Sequence, residues 1–132
     1  NYANGDMVGH TGDLEATRIA VEVVDRQLRR LEEAVRRADG ILLLTADHGN
    51  ADQMYTRGKD GAVVRDGAGK PQPRTSHTTN PVPLVLLDPR GELGLRQDLE
   101  RPGIAQLGAT VLELAGLMAP EDYLPGLVSF GR

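Results

Sequence analysis

The chain has 132 residues, with 15 Lys and Arg against 19 Asp and Glu, for a formal net charge of −4. That length bounds it at one modest domain, and the mildly acidic balance argues against nucleic acid as the main partner. Cysteine is absent, which excludes a disulfide framework and a thiolate metal site, and no apolar run approaches the ~20 residues of a membrane span.

Residues 1–12 read as a loop, with Asn4-Gly5-Asp6 as a turn signal and Gly9 and Gly12 as punctuation. Asp13 is the expected N-cap of a long helix from Leu14 to about Ala38. Its apolar stripe is Ala20, Val24, Leu28, Leu31 and Val35, and the opposite face carries the i, i+4 pairs Arg18/Glu22, Asp25/Arg29 and Glu33/Arg37. Gly40 is the expected C-cap. Ile41 to Thr45 is too short for a helix and almost wholly apolar, as in a parallel strand buried on both faces. Helix, glycine stop and buried strand together make an α/β half-unit.

Residues 50–83 lack periodicity and read as an irregular insertion or small hairpin lobe, around Ala62-Val63-Val64-Arg65 and the Gly-rich Asp66 to Pro71. Leu84 to Leu87 is a second buried strand, ending at Asp88-Pro89. Pro102 opens a last helix, with Ile104, Leu107, Val111, Leu112, Leu114 and Ala115 apolar and Gly116 as its stop. Met118 to Arg132 reads as loop. No internal repeat or low-complexity tract is visible. With aromatics at 3% and the apolar fraction at 39%, the core must be aliphatic.

All three histidines fall in loops beside a second functional group: Asp6-Met7-Val8-Gly9-His10, Asp47-His48-Gly49-Asn50 and Ser76-His77-Thr78-Thr79-Asn80. Asp47 and His48 lie just beyond the C-terminal end of a buried strand, where open α/β sheets bind ligands. The alternative for each group is a surface turn with an incidental histidine. Taken together they suit a divalent metal, because imidazole and carboxylate donors without thiolate favour Mn²⁺, Zn²⁺ or Mg²⁺ at roughly 2.0–2.2 Å. Two His plus one Asp could make an open three-ligand site, whereas Asp47 and His48 alone leave a second site incomplete. Nucleotide, metalloprotease and serine-hydrolase motifs are absent.

The strings Asn1 to Gly12, Thr45 to Met54 and His77 to Pro83 closely resemble the C-terminal part of bisphosphoglycerate-independent phosphoglycerate mutases, in the alkaline phosphatase superfamily. The resemblance implies part of a three-layer α/β/α domain with a mostly parallel sheet, cut short on its N-terminal side. It implies that Asp6, His10 and His77 bind a first Mn²⁺ and that Asp47 and His48 bind a second. The nucleophilic Ser, a further Asp and the substrate domain would lie upstream, outside this chain. The implied reaction is the glycolytic interconversion of 3- and 2-phosphoglycerate through a phosphoserine. The expected partners are thus a small phosphorylated three-carbon acid and the rest of the parent polypeptide, in the cytoplasm. A metal-dependent phosphatase or phosphopentomutase of the same superfamily, or a non-catalytic metal-binding module, are the other readings.

A piece of such a sheet leaves strand edges unpaired. The chain expressed alone is therefore expected to be unstable or to self-associate. Sedimentation velocity and thermal melts test this, and a monodisperse, cooperatively unfolding monomer would overturn it.

Overall fold

A computed structural model describes residues 1–131 and contains three α-helices, one 3-10 turn and four short strands. The helices are α1 (Asn4–Gly9), α2 (Leu14–Arg37) and α3 (Leu107–Leu114), the last preceded by the 3-10 turn Ile104–Gln106. The strands are β1 (Leu42–Thr45), β2 (Leu84–Leu87), β3 (Leu93–Leu95) and β4 (Val128–Phe130). β1 pairs with β2, and β3 pairs antiparallel with β4, Leu93 opposite Phe130 and Leu95 opposite Val128. The chain forms two compact units, Asn1–Ala34 with Leu44–Leu84 and Val35–Leu43 with Val85–Arg132. None of the described helices is long and apolar enough to cross a membrane.

In the first unit α2 starts where expected. Asp13 Oδ1 accepts from the Ala16 amide at 2.9 Å, satisfying one of the free N–H groups of the first turn. Arg18 is bonded to Glu15 and Glu22 on the solvated face. The apolar stripe is covered unevenly. Ala20 is buried, Val24 and Leu28 are half-buried, and Leu31 is exposed.

Residues 54–74, within the 50–83 stretch, contain a structural repeat that the sequence did not reveal. The evenly spaced residues Thr56, Val64 and Gln72 close a ring of backbone hydrogen bonds. The Thr56 amide donates to the Gln72 carbonyl, Gln72 to Val64, and Val64 to Thr56, at 2.9–3.0 Å. Arg57 and Arg65 each reach forward to the carbonyl of a left-handed glycine, Gly61 and Gly69. The repeat lies in backbone pairing and turn geometry, with little side-chain identity, so composition could not show it.

In the second unit α2 ends in a Schellman arrangement. The Gly40 amide donates to the Val35 carbonyl (2.9 Å) and the Asp39 amide to that of Arg36 (3.2 Å). The left-handed residue is Asp39 (φ 51°), where the sequence pointed to Gly40. Asp tolerates this conformation better than most residues. Here it is also anchored: Arg90 Nε donates to Asp39 Oδ2 at 2.8 Å and a second guanidinium nitrogen lies 2.6 Å from the same oxygen. α3 ends as predicted at Gly116 (φ 73°), with the same pair of bonds through Glu113 and Leu112.

The tail expected to be loop contributes β4 and much of the core. Leu127 and Val128 are buried beside the fully buried Ala109 and Thr110. Polar side chains fix the tail to α3. Thr110 Oγ1 accepts from the Leu127 amide (2.9 Å), and Gln106 donates to the Pro125 carbonyl (2.9 Å). With few large side chains available, buried polar pairing supplies specificity that bulk cannot.

β1 and β2 are less covered than doubly buried strands. Their residues are mostly half-buried, with Thr45 and Val85 exposed. Among the described residues only Ala20, Met54, Ala109, Leu127 and Val128 are buried apolar side chains. Such strands need flanking strands or helices to cover them, and here each has a single strand neighbour.

The turn after β2 depends on Asp88, whose carboxylate accepts from the amides of Arg90 (3.0 Å), Glu92 (2.6 Å) and Leu93 (2.8 Å). Desolvation pushes its pKa up, but these three N–H groups and the Arg90 charge outweigh it, so the pKa sits below the ordinary value of 3.8. A depressed carboxylate contributes stability that is fully present above the unfolded pKa and lost as pH falls through the folded one. Thermal midpoints should therefore drop below pH 4, and Asp88→Ala should lower the midpoint at pH 7 while flattening that acid dependence. An unchanged acid limb in Asp88→Ala would remove Asp88 from this role.

Candidate metal centre

The chain places Asp6, His10 and His77 at one point in the first unit, although two of them are distant in sequence from the third. Residues 4–9, expected to be loop, are helical. The i, i+4 spacing of Asp6 and His10 therefore works as it does on any helix and sets both side chains on one face. His10 is the C-cap, in helical conformation, and its amide donates to the Asp6 carbonyl at 3.1 Å. Of the glycines that suggested a loop, Gly9 serves packing instead. A Cβ on Gly9 would overlap the side-chain amide of Asn50, with Cγ only 2.9 Å away.

Three donor atoms converge. Asp6 Oδ1 lies 3.3 Å from His10 Nε2 and 3.1 Å from His77 Nε2, and the two imidazole nitrogens are 3.1 Å apart. Tautomers explain why these atoms face one another. His10 Nδ1 lies 2.7 Å from the Thr75 carbonyl, which only accepts, so Nδ1 carries the proton and the neutral ring turns its Nε2 lone pair inward. At least two lone pairs, on His10 Nε2 and Asp6 Oδ1, then meet with no proton of their own between them, an arrangement that a cation resolves. The spacing fits as well. Donors about 2.0–2.2 Å from one ion, at tetrahedral or octahedral angles, stand about 2.8–3.6 Å apart.

His48 joins the group from the loop after β1. It offers a ligand atom within 4.8 Å of those of Asp6 and His77, and its ring stacks on His77 at 3.7 Å between centroids and 17° between planes. Asp47 is not drawn in. Its side chain is 81% exposed and lies 3.6 Å from His48 Nε2. Four of the five candidate ligands are thus clustered, and the fifth stands at the edge beside His48.

The Asp6 carboxyl sits below its ordinary pKa. Desolvation raises it, but the Asn50 hydrogen bond outweighs this together with the neighbouring imidazoles of His10, His77 and His48 in whichever of them carries a proton on both nitrogens. The site thus favours an ionised carboxylate, the form that binds metal.

Several residues hold this group in place without having been singled out from sequence. Asn50 Nδ2 donates to Asp6 Oδ1 at 2.8 Å. Thr78 pairs with Gly49 across the two loops, its amide donating to the Gly49 carbonyl at 2.8 Å. Asp52 accepts from the Thr78 hydroxyl (3.1 Å) and from Asn80 Nδ2 (2.5 Å). Arg74 donates to the His77 carbonyl at 2.9 Å. Asn50, Thr78 and Asn80 lie inside the strings that carry the resemblance, which was the available signal. Thr75 acts through its backbone, which no side-chain pattern reports.

Helix-borne carboxylate, inward imidazoles and a small-residue frame make a candidate metal-binding site on an α/β scaffold. The metalloenzyme superfamily matches residues 1–119, and the chain belongs to it. It is 52% identical over 132 residues to the 2,3-bisphosphoglycerate-independent phosphoglycerate mutase of Trypanosoma brucei brucei, covering 97% of this chain and 24% of that one. It is 48% identical over 130 residues to the probable 2,3-bisphosphoglycerate-independent phosphoglycerate mutase 2 of Arabidopsis thaliana, covering 97% and 23%. A crystal structure of Leishmania mexicana phosphoglycerate mutase at low cobalt concentration matches with a TM-score of 0.93 and 46% identity, over 98% of this chain and 24% of that one. The fold is therefore α/β and alkaline-phosphatase-like, as expected. The chain spans about a quarter of the length of these relatives.

Gly49 sets how closely the two histidine loops approach. A Cβ there would overlap the Thr78 hydroxyl and crowd Asp52, whose Cγ is 3.1 Å away. Gly49→Ala is expected to destabilise the protein by about 1–3 kcal/mol, as overpacking does. It should also weaken metal binding, because His77 precedes Thr78. Denaturant melts with metal titration check this, and wild-type values for both would contradict the packing argument.

Proposed function

We propose that this chain supplies metal ligands to a phosphoglycerate mutase, which moves a phosphoryl group between the 3- and 2-positions of glycerate through a phosphoserine. The observation that carries the reading is the 3.1–3.3 Å convergence of Asp6, His10 and His77 in a chain so similar to enzymes of that name. In this reading Asp6, His10 and His77 hold the first ion, and His48 with Asp47 gives part of the second site. The serine nucleophile and the groups that bind the substrate carboxylate come from polypeptide outside this chain.

Bound ions supply neutralisation of the transferring phosphoryl group and a lowered nucleophile pKa. This chain's residues provide orientation. Thr75 fixes the His10 tautomer, Arg74 holds the His77 backbone, and the stacked rings of His48 and His77 set the two sites side by side. Transfer of this kind rests on positioning and electrostatics, so a rigid ligand frame is the chain's main contribution.

The donor set suits Mn²⁺, with Zn²⁺ or Mg²⁺ as alternatives, and Co²⁺, named for the Leishmania mexicana structure, takes the same nitrogen and oxygen donors. The substrate is a small phosphorylated three-carbon acid, and the place of the reaction is cytoplasmic glycolysis.

In the full-length protein, His77→Ala and Asp47→Ala should each lower bound metal and reduce the interconversion of 3- and 2-phosphoglycerate by at least about 100-fold. The 132-residue chain alone should show no conversion. Unchanged metal stoichiometry in both variants would refute the ligand assignment, and turnover by the isolated chain would refute the division of the active site.

A further inference from the structure

We propose that Asn50 is a positioning residue of the metal centre, holding the Asp6 carboxylate in the orientation that completes the site. The inference rests on the metal-site reading above and assigns a role to a residue that is not itself a ligand.

Three observations support it. Asn50 is a buried polar residue, 6% exposed, and buried amides are retained where their hydrogen bonds are made. Its Nδ2 donates to Asp6 Oδ1 at 2.8 Å, the same oxygen that faces both imidazoles, and lies 3.4 Å from the Asp6 carbonyl. One amide thus grips the side chain and touches the backbone of the same residue. The surface of α1 is also shaped to admit it. Gly9, one turn from Asp6, has no Cβ, and a Cβ there would fall on the Asn50 amide.

The geometry explains why a neutral donor is needed. Asp6 has two side-chain torsions, and among the described residues the Asn50 amide is the one group besides the histidines that holds its carboxylate. A lysine or arginine at position 50 would neutralise the carboxylate and compete with a cation for it. An amide donates a hydrogen bond without adding charge. Asn50 also lies two residues after His48, so the same residue ties α1 to the loop that carries His48 and Asp47. Removing it should loosen Asp6 relative to that loop.

The test uses full-length protein and Mn²⁺ or Co²⁺ alone, read by titration calorimetry and by the visible spectrum of bound Co²⁺. Asn50→Leu keeps the approximate volume and removes the donor. We expect metal affinity at the Asp6 site to fall by about 10–100-fold, the range seen when hydrogen bonds to ligands are removed. The Co²⁺ bands should shift, because a reoriented carboxylate changes the ligand field, whereas a purely structural role would leave the spectrum of bound metal unchanged. In an Asp6→Ala background Asn50→Leu should have no further effect. Should Asn50→Leu fail to fold, Gly9→Ala applies the same test by displacing the Asn50 amide from the other side. Wild-type affinity and spectrum in the folded variant would overturn the proposal while leaving the metal site standing. An equal loss in the Asp6→Ala background would overturn it too. A wild-type protein that binds no metal would overturn both readings.

Discussion

The first unit is organised around the convergence of one carboxylate and two imidazoles on a single point. A carboxylate oxygen and two imidazole nitrogens sit within 3.3 Å of one another, and the hydrogen bond from His10 to Thr75 ensures that at least one ring presents a lone pair. Side chains from separate segments meet only where the backbone brings them together. Helix α1 must therefore hold Asp6 and His10 together, and the bridge between Gly49 and Thr78 must bring the other two histidines alongside. The surrounding small residues follow from this. Glycine at positions 9 and 49 lets Asn50, Thr78 and Asp52 close in to distances that any side chain there would prevent.

Much of this could be read from the sequence, because it depends on local rules or on side chains that carry their own chemistry. The Asp13 cap, the start of α2 and the Gly116 stop are set by hydrogen bonds within a few residues, and residue type reports them well. The histidines stood out because each lay beside another functional group. The errors have a shared cause. Gly5 and Gly9 look like breakers only while their neighbours in space are unknown. Once Asn50 is placed against α1, glycine at position 9 becomes a packing requirement on a helix. Asp39 takes the left-handed position in place of Gly40 because Arg90, distant in sequence, anchors its carboxylate. The strand pair β3–β4 escaped notice because Leu93–Leu95 and Val128–Phe130 are too short for a period to show.

The lobe at residues 54–74 illustrates a different limit. Its ring through Thr56, Val64 and Gln72 uses only backbone groups, which every residue but proline carries in full. Its turns rest on Gly61 and Gly69, which sequence does mark, but the closure among three segments is a property of the chain path. Backbone pairing of this kind satisfies polar groups without a hydrophobic core. That accounts for an ordered segment so poor in buried apolar residues.

The candidate metal centre is therefore uneven in how it is built, and the unevenness bears on function. Asp6, His10 and His77 have their orientation fixed by Asn50, Thr75 and Arg74, all within this chain. Among the described residues Asp47 has no comparable support: its side chain is exposed and lies against His48 alone. A ligand that must hold a geometry needs partners to fix its torsions, and a ligand without them is held by whatever packs on it from elsewhere. On the reading proposed above, the first site is one this chain can preorganise, whereas the second awaits groups from the rest of the enzyme. The stacking of His48 on His77 then gains a purpose. It places one ligand of the less supported site against His77 of the other, so that order in the first site extends to the edge of the second.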